Sequence, residues 1–70
     1  MSSEEFNMSL RKFLKTVGVT SQQEIEEAVR AARDAGNLPD GKVTARVVLT
    51  IDAVGLQHEV QGEIQMPGAD

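Results

Sequence analysis

Apolar residues recur at helical spacing through the first half of the chain. In the segment 3–17 they lie three or four residues apart, which indicates one face of an α-helix. These positions are Phe6, Leu10, Phe13, Leu14 and Val17. The segment 20–35 repeats the pattern with smaller side chains. Its apolar positions are Ile25, Ala28, Val29 and Ala32. The sequence therefore predicts two amphipathic helices.

The stretch between these segments carries signals for a helix end and a helix start. Gly18 can adopt the left-handed conformation that often follows the last residue of a helix. Thr20 with Gln23, or Ser21 with Glu24, forms a capping box that would begin the next helix. We therefore expect helix 1 over 3–17 and helix 2 over 20–35, joined by a tight turn.

The second half of the chain alternates between apolar and polar residues, which is typical of strands with one buried face. Gly36 is expected to end helix 2, and a proline and a glycine at 38–41 predict a turn. Strand 1 is predicted over 43–51 and strand 2 over 56–65. The residues 67–70 are predicted to form a flexible tail.

The numbering of the apolar positions predicts the register of this hairpin. They are odd-numbered in strand 1 and even-numbered in strand 2. Directly paired residues must share a face, so the loop must contain an even number of residues. A loop at 52–55 pairs Ile51 with Leu56 and suits a type I turn followed by a left-handed Gly55. The remaining predicted pairs are Leu49 with His58, Val47 with Val60, and Ala45 with Gly62.

These elements predict an α+β fold of ααββ order in a single domain, 1–70. A lone two-stranded hairpin is marginal in water, so its apolar face should pack on the two helices. With 70 residues the chain can build only a small core. Both strands have open edges, and edge pairing of two copies would give a four-stranded sheet in a homodimer.

The charge balance disfavours two classes of partner. The chain has seven Lys and Arg residues and eleven Asp and Glu residues, for a formal net charge of −4. An acidic chain is repelled by nucleic acid and by anionic lipid. No apolar run approaches the ~20 residues of a membrane span, and the first residues are acidic where a signal peptide is basic. We expect a cytoplasmic protein without a membrane partner.

Residues suited to catalysis are scarce. The chain has one histidine and no cysteine, tyrosine or tryptophan. His58 falls on the apolar face of strand 2, which favours a structural role at the margin of the core. Neither catalytic partners nor metal ligands are spaced to act with it, and the glycines form no phosphate-binding loop. We predict no enzyme activity, no catalytic or metal site and no cofactor.

A helix–turn–helix followed by a hairpin also suggests a nucleic-acid-binding or transcription-associated module. Gln22 and Gln23, at the start of helix 2, could read adenine edges. Against this, Glu24, Glu26 and Glu27 would face the phosphates. Nucleic-acid binding is therefore the alternative hypothesis.

Two stretches resemble a known family. "FNMSLRKFLKTVGVTSQQEIEEAVR", which begins at Phe6, and "EVQGEI", which ends at Ile64, resemble a small bacterial family classed as a domain of unknown function. The resemblance implies a bacterial, cytoplasmic, stand-alone domain, and it supplies no activity or functional residues. Asn7, Arg11 and Gln22 belong to the resembling stretch and have no structural task in the predicted helices.

We therefore predict a small non-enzymatic protein-interaction module. It would bind a protein partner that the sequence does not identify, or a second copy of itself. The contact surfaces would be the hairpin edges and a flank of polar and basic residues. That flank consists of Asn7, Arg11, Lys12, Lys15 and Gln22.

Overall fold

The structure is a computed structural model that describes residues 3–68. Helix α1 spans Ser3–Asp34, and strands β1 and β2 span Lys42–Ile51 and Leu56–Gln65. A single 3₁₀ turn, Asp52–Val54, joins the strands. The fold is thus α+β, with one long helix followed by an antiparallel two-stranded hairpin.

The prediction of two helices, 3–17 and 20–35, is wrong. Gly18 lies inside α1, and it is not among the described glycines with positive φ. The Thr20 hydroxyl donates to the Thr16 carbonyl at 2.7 Å, a bond of the helix interior rather than of a cap. A glycine inside a helix costs about 1 kcal/mol. A break would leave up to about four unpaired backbone groups on each side, which costs more.

Gly36 does end the helix, as predicted. Its φ is 76°, in the left-handed region. The amide of Asn37 donates to the carbonyl of Ala32 at 2.8 Å, and the amide of Gly36 donates to the carbonyl of Arg33 at 3.0 Å. These two bonds form the Schellman motif, which satisfies carbonyls that would otherwise lack partners.

The predicted hairpin register is confirmed. Ile51 pairs with Leu56, and the bounds of β2 match the prediction, while β1 begins one residue earlier, at Lys42. Gly55 has φ 65° and ψ 29°, and its amide donates to the carbonyl of Asp52 at 3.1 Å. The other predicted pairs are also present: Leu49 with His58, Val47 with Val60, and Ala45 with Gly62.

The carbonyl of Gly41 closes the open end of the hairpin. It accepts one hydrogen bond from the amide of Met66 at 2.8 Å and another from Nε2 of Gln65 at 3.1 Å. Met66 is 7% exposed and is the buried hydrophobic residue of the described chain. Val47 and Val60, predicted to be buried, are 49% and 50% exposed. Four apolar-face residues are half-buried: Val43, Ala45, Leu49 and Ile64.

The chain divides after Leu38 into two compact units, one containing α1 and the other the hairpin. The single domain over 1–70, the packing of helical elements on the hairpin and the four-stranded sheet of a homodimer stay predictions. The same holds for the flexible tail at 67–70, of which Ala69 and Asp70 lie outside the described residues.

Candidate protein-interaction surface

The continuity of α1 places all the predicted partner residues on one element. At about 100° per residue, Asn7, Arg11, Lys15 and Gln22 fall within a sector of about 80°, and Lys12 lies about 60° beyond it. All five are exposed. If a turn had separated two helices, the helical spacing would not have fixed the position of Gln22 relative to the other four residues. The single helix brings four of the five residues together on one side.

The hydrogen bonds at this flank are local. Nε2 of Gln22 donates to Oε2 of Glu26, one turn further on, at 3.4 Å, which is at the long limit for such a bond. The carbonyl of Lys12 accepts the hydroxyl of Thr16 at 3.1 Å. These contacts stay within neighbouring turns of α1, so they support the helix without covering its flank.

The apolar faces predicted for two separate helices form one stripe on α1. In a continuous helix the apolar positions of both faces, apart from Val29, occupy a sector of about 120° that borders the polar flank, and Val29 lies about 40° beyond this sector. We call this set the apolar stripe of α1: Phe6, Leu10, Phe13, Leu14, Val17, Ile25, Ala28 and Ala32. Phe6 is 61% exposed and Phe13 is 54% exposed. The signal that could have revealed the stripe is the helical spacing, which continues through Gly18, with Ser21 and Glu24 among the polar positions inside the same sector.

Charged residues form two bands along α1. The basic band consists of Arg11, Lys12 and Lys15. The acidic band consists of Glu24, Glu26 and Glu27. Their centres lie about 20 Å apart along the axis of the helix. All six side chains are exposed, so each band is available to a partner of opposite charge.

His58, the one histidine of the sequence, lies in β2. His58 pairs with Leu49 in the sheet and is exposed, so it does not lie at the margin of a core. Within residues 3–68 no group of three or more His, Cys, Asp and Glu side chains is placed to hold a metal ion.

The helix–turn–helix prediction is wrong, because the residues 18–22 are helical. Gln22 and Gln23 therefore lie in the interior of α1 and not at the start of a recognition helix. The specific geometry that motivated nucleic-acid binding is absent from the described helix. Nucleic-acid binding by another route stays a prediction.

A helix that crosses a membrane must be both long and apolar. None of the helices within 3–68 combines the two properties. The cytoplasmic location stays a prediction.

Comparisons with known proteins identify the family. No curated protein and no solved structure matches the chain. A family model described as a family of unknown function (DUF6494) matches residues 1–67. The match confirms the resemblance to a family of unknown function. The chain belongs to this family, DUF6494.

Proposed function

We propose that the chain is a small non-enzymatic protein-interaction module whose contact surface is the apolar stripe of α1. One observation carries the proposal: large apolar side chains stay exposed along the helix, among them Phe6, Phe13 and Leu14. Contiguous exposed apolar surface on a small protein usually marks a site of association. Covering such side chains by a partner removes apolar area from water, which stabilises the complex.

The stripe suits a helical partner surface. Within each half of α1 its apolar side chains recur every three or four residues, with Ser21 between Val17 and Ile25. This is the spacing by which an amphipathic helix inserts into a groove or packs on another helix. The predicted residues Asn7, Arg11, Lys15 and Gln22 border the stripe and would form a polar rim. Rim charges mainly select the partner and steer its approach, while the apolar centre supplies most of the affinity.

Capture from a bacterial lysate on the immobilised chain tests this proposal with matched variants. Leu10→Gln with Phe13→Gln removes two apolar side chains from the stripe. Met8→Gln with Val19→Gln removes two exposed apolar side chains that lie on the opposite side of α1. We expect the first pair to lose the captured protein and the second pair to retain it. Arg11→Glu should reduce capture by a smaller factor, since it changes the rim.

Equal capture by the two double variants would contradict the proposal, because it would show that the stripe is not the contact surface. Retention of DNA instead of protein would favour the nucleic-acid alternative. A captured protein that proves to be further copies of the chain supports the proposal, since self-association is also an interaction of this surface.

The hairpin offers a second route to association. Its sheet contains two strands, so β1 and β2 each leave one edge unpaired within the described residues. Pairing of these edges in two copies would give the four-stranded sheet predicted from the sequence. This route leaves α1 unchanged, so substitutions on the stripe distinguish the two surfaces.

A further inference from the structure

The hairpin is a compact unit of its own with two strands among its described residues. This unit spans Pro39–Asp70, and Met66 is the residue that it buries within the described chain. An isolated two-stranded hairpin is marginally stable in water, whereas three or more strands with an apolar face can be stable independently. A further strand at either edge would therefore stabilise the hairpin.

The two edges differ in their protection against such pairing. Proteins block sheet edges with charged side chains, and glycine weakens a strand. β2 carries Glu59 and Glu63 on its polar face and Gly62 between them, so pairing of two β2 edges would bring two carboxylates from each copy onto one face. Residues 43–51 of β1 have Arg46 as their one charged residue and are rich in β-branched side chains, which favour strands. The edge of β1 is therefore the better one for pairing.

The hydrogen bonds of the hairpin show which backbone groups of β1 face this edge. The amide of Met66 donates to the carbonyl of Gly41, so these two residues form a hydrogen-bonded pair of the antiparallel ladder. Hydrogen-bonded and non-hydrogen-bonded pairs alternate along such a ladder. The odd-numbered residues of β1 therefore bond to β2, and the even-numbered residues direct their amides and carbonyls to the open edge. The outward residues include Thr44, Arg46, Val48 and Thr50.

Pairing of two β1 edges about a two-fold axis has a preferred register. An axis at Arg46 would place this side chain directly opposite its counterpart, which is unfavourable for like charges. An axis at Val48 would shorten the paired segment. An axis at Val47 pairs residues 43–51 in full and places Arg46 opposite Val48, and Thr44 opposite Thr50. Both of these pairs join outward residues, so their backbone groups can bond.

The apolar face of β1 suits the same register. Val47 lies opposite its counterpart at the axis, and Ala45 lies opposite Leu49, which combines a small side chain with a large one. Val43 lies opposite Ile51, a pair of β-branched side chains. Cross-strand pairs of this kind stabilise sheets.

Charge and exposure favour this register as well. Lys42 of each copy lies beside Asp52 of the other, just past the last paired residue, and both side chains are exposed. Two contacts between opposite charges therefore border the paired segment. Val47 is 49% exposed and Val48 is 57% exposed. The partner strand would cover both valines, since the stem of Arg46 from the other copy lies against Val48.

We infer that β1 pairs with β1 of a second copy of this chain, antiparallel and with the two-fold axis at Val47. The result is a four-stranded sheet of the order β2–β1–β1–β2. The inference rests on the proposed function, of which it specifies the second route by naming the edge and the register. The apolar stripe of α1 takes no part in it.

Three substitutions at Val48 test the register by sedimentation of the full chain. Val48→Glu places a carboxylate opposite Arg46 of the other copy, Val48→Lys places an ammonium group there, and Val48→Gln is the neutral reference. We expect the wild-type chain to dimerise. Among the variants, Val48→Glu should dimerise most strongly and Val48→Lys most weakly, about tenfold apart at ~0.1 M salt because symmetry repeats the contact.

Other effects of these charges predict the opposite order. Within the hairpin Val48 is paired with Glu59, so a lysine there would favour the hairpin and a glutamate would disfavour it. The net charge of −4 has the same consequence, because added negative charge increases the repulsion between copies. The expected order therefore distinguishes pairing of the β1 edges from an effect on folding or on general repulsion.

Disulfide cross-linking tests which edge is paired, since the chain has no cysteine of its own. In the proposed sheet the two copies of Val47 form a non-hydrogen-bonded pair with Cα atoms about 4.5 Å apart. Val47→Cys should therefore cross-link when oxidised glutathione accepts the two thiol hydrogens. Val60→Cys is the control, because Val60 pairs with Val47 in the hairpin and is 50% exposed. Its two copies would be three strand spacings apart, about 14 Å, which is too far for a disulfide.

Several results would overturn the inference. They are a wild-type chain that stays monomeric at high micromolar concentration, equal or reversed dimerisation of the Val48 variants, and cross-linking at Val60→Cys in place of Val47→Cys. The last result would assign the dimer to the β2 edges.

The double variant Leu10→Gln with Phe13→Gln separates this inference from the proposed stripe. We expect it to lose capture of protein from the lysate and to keep the dimer. Loss of the dimer in this variant would assign self-association to α1 and reject the pairing of β1. A monomeric wild-type chain whose stripe still captures another protein would also reject this pairing while leaving the stripe as a contact surface.

Discussion

Gly18 and Gly36 lie in the same half of the chain, yet α1 continues through the first and ends at the second. A Cβ atom added at either glycine would meet nothing within 4 Å, so the space around them does not distinguish the two sites. The backbone does, because Gly36 has φ 76° and Gly18 is not among the described glycines with positive φ. Glycine is thus part of the helix at position 18 and ends the helix at position 36.

The difference comes from the residues that come after each glycine. After Gly36 the chain reaches Pro39, which has no amide hydrogen and restricts the residue before it to extended conformations. After Gly18 come Val19 and Thr20, and the hydroxyl of Thr20 bonds back into the preceding turn. A glycine therefore permits a helix to end, and its neighbours decide whether the helix does end there.

Among the substitutions that test this difference, Gly18→Pro should have the largest effect on the stability of α1. A proline inside a helix removes a hydrogen bond and clashes with the preceding turn, which costs about 3 kcal/mol or more. We expect a large loss of helical circular dichroism and a lower thermal midpoint. Unchanged helicity would contradict a continuous α1.

Gly36→Ala should have the next largest effect. An alanine in the left-handed region costs about 1–2 kcal/mol, so the free energy of unfolding of α1 should fall. Gly36→Asn is the control, because asparagine tolerates this conformation and should lose less. Chemical denaturation followed by circular dichroism measures both, and equal losses would argue against a left-handed Gly36.

Gly18→Ala should act in the opposite direction to Gly36→Ala. In a helix interior alanine is favoured over glycine by about 0.8–1.0 kcal/mol, and the added methyl group has open space. The thermal midpoint at fixed protein concentration should therefore rise. A fall would indicate a left-handed Gly18 and would restore the two-helix interpretation.

Thr20→Ala should give the smallest effect. If Thr20 capped a second helix, its replacement would cost about 0.5–2 kcal/mol. In the interior of α1 the better helix propensity of alanine offsets the lost hydroxyl bond to Thr16, so the stability should change by less than about 0.5 kcal/mol. Ser9→Ala, which removes a similar hydroxyl bond to the carbonyl of Phe6, is a matched comparison.

The register of the hairpin was predictable because strands can shift only by whole residues. A shift of one residue would move every apolar side chain of a strand to the opposite face, so the parity of positions such as Ile51 and Leu56 leaves few registers. The left-handed Gly55 then follows from the loop length. The end of α1 at Gly36 was predictable for a similar reason, since Pro39 prevents its continuation.

The site was predictable only in part. The sequence predicted Asn7, Arg11, Lys12, Lys15 and Gln22 as partner residues. All five are exposed on α1, and their role in binding stays a prediction. The apolar stripe was missed, because it exists only if the helix continues through Gly18. An incorrect helix end therefore concealed the relation between the two halves of the helix.

The sequence by itself determined the types of element, the register of the hairpin and the end of α1 at Gly36. These features follow from side-chain periodicity and from backbone limits that local residues impose. The tertiary structure decided that α1 runs through Gly18, that Met66 is buried and that Val47 and Val60 stay exposed. The physical reason is one of magnitude. A capping residue stabilises a helix start by about 1 kcal/mol, and a glycine inside a helix costs about 1 kcal/mol. Local terms so nearly balanced are settled by the backbone hydrogen bonds of the continuous helix, because α1 has no buried residue that could decide the matter.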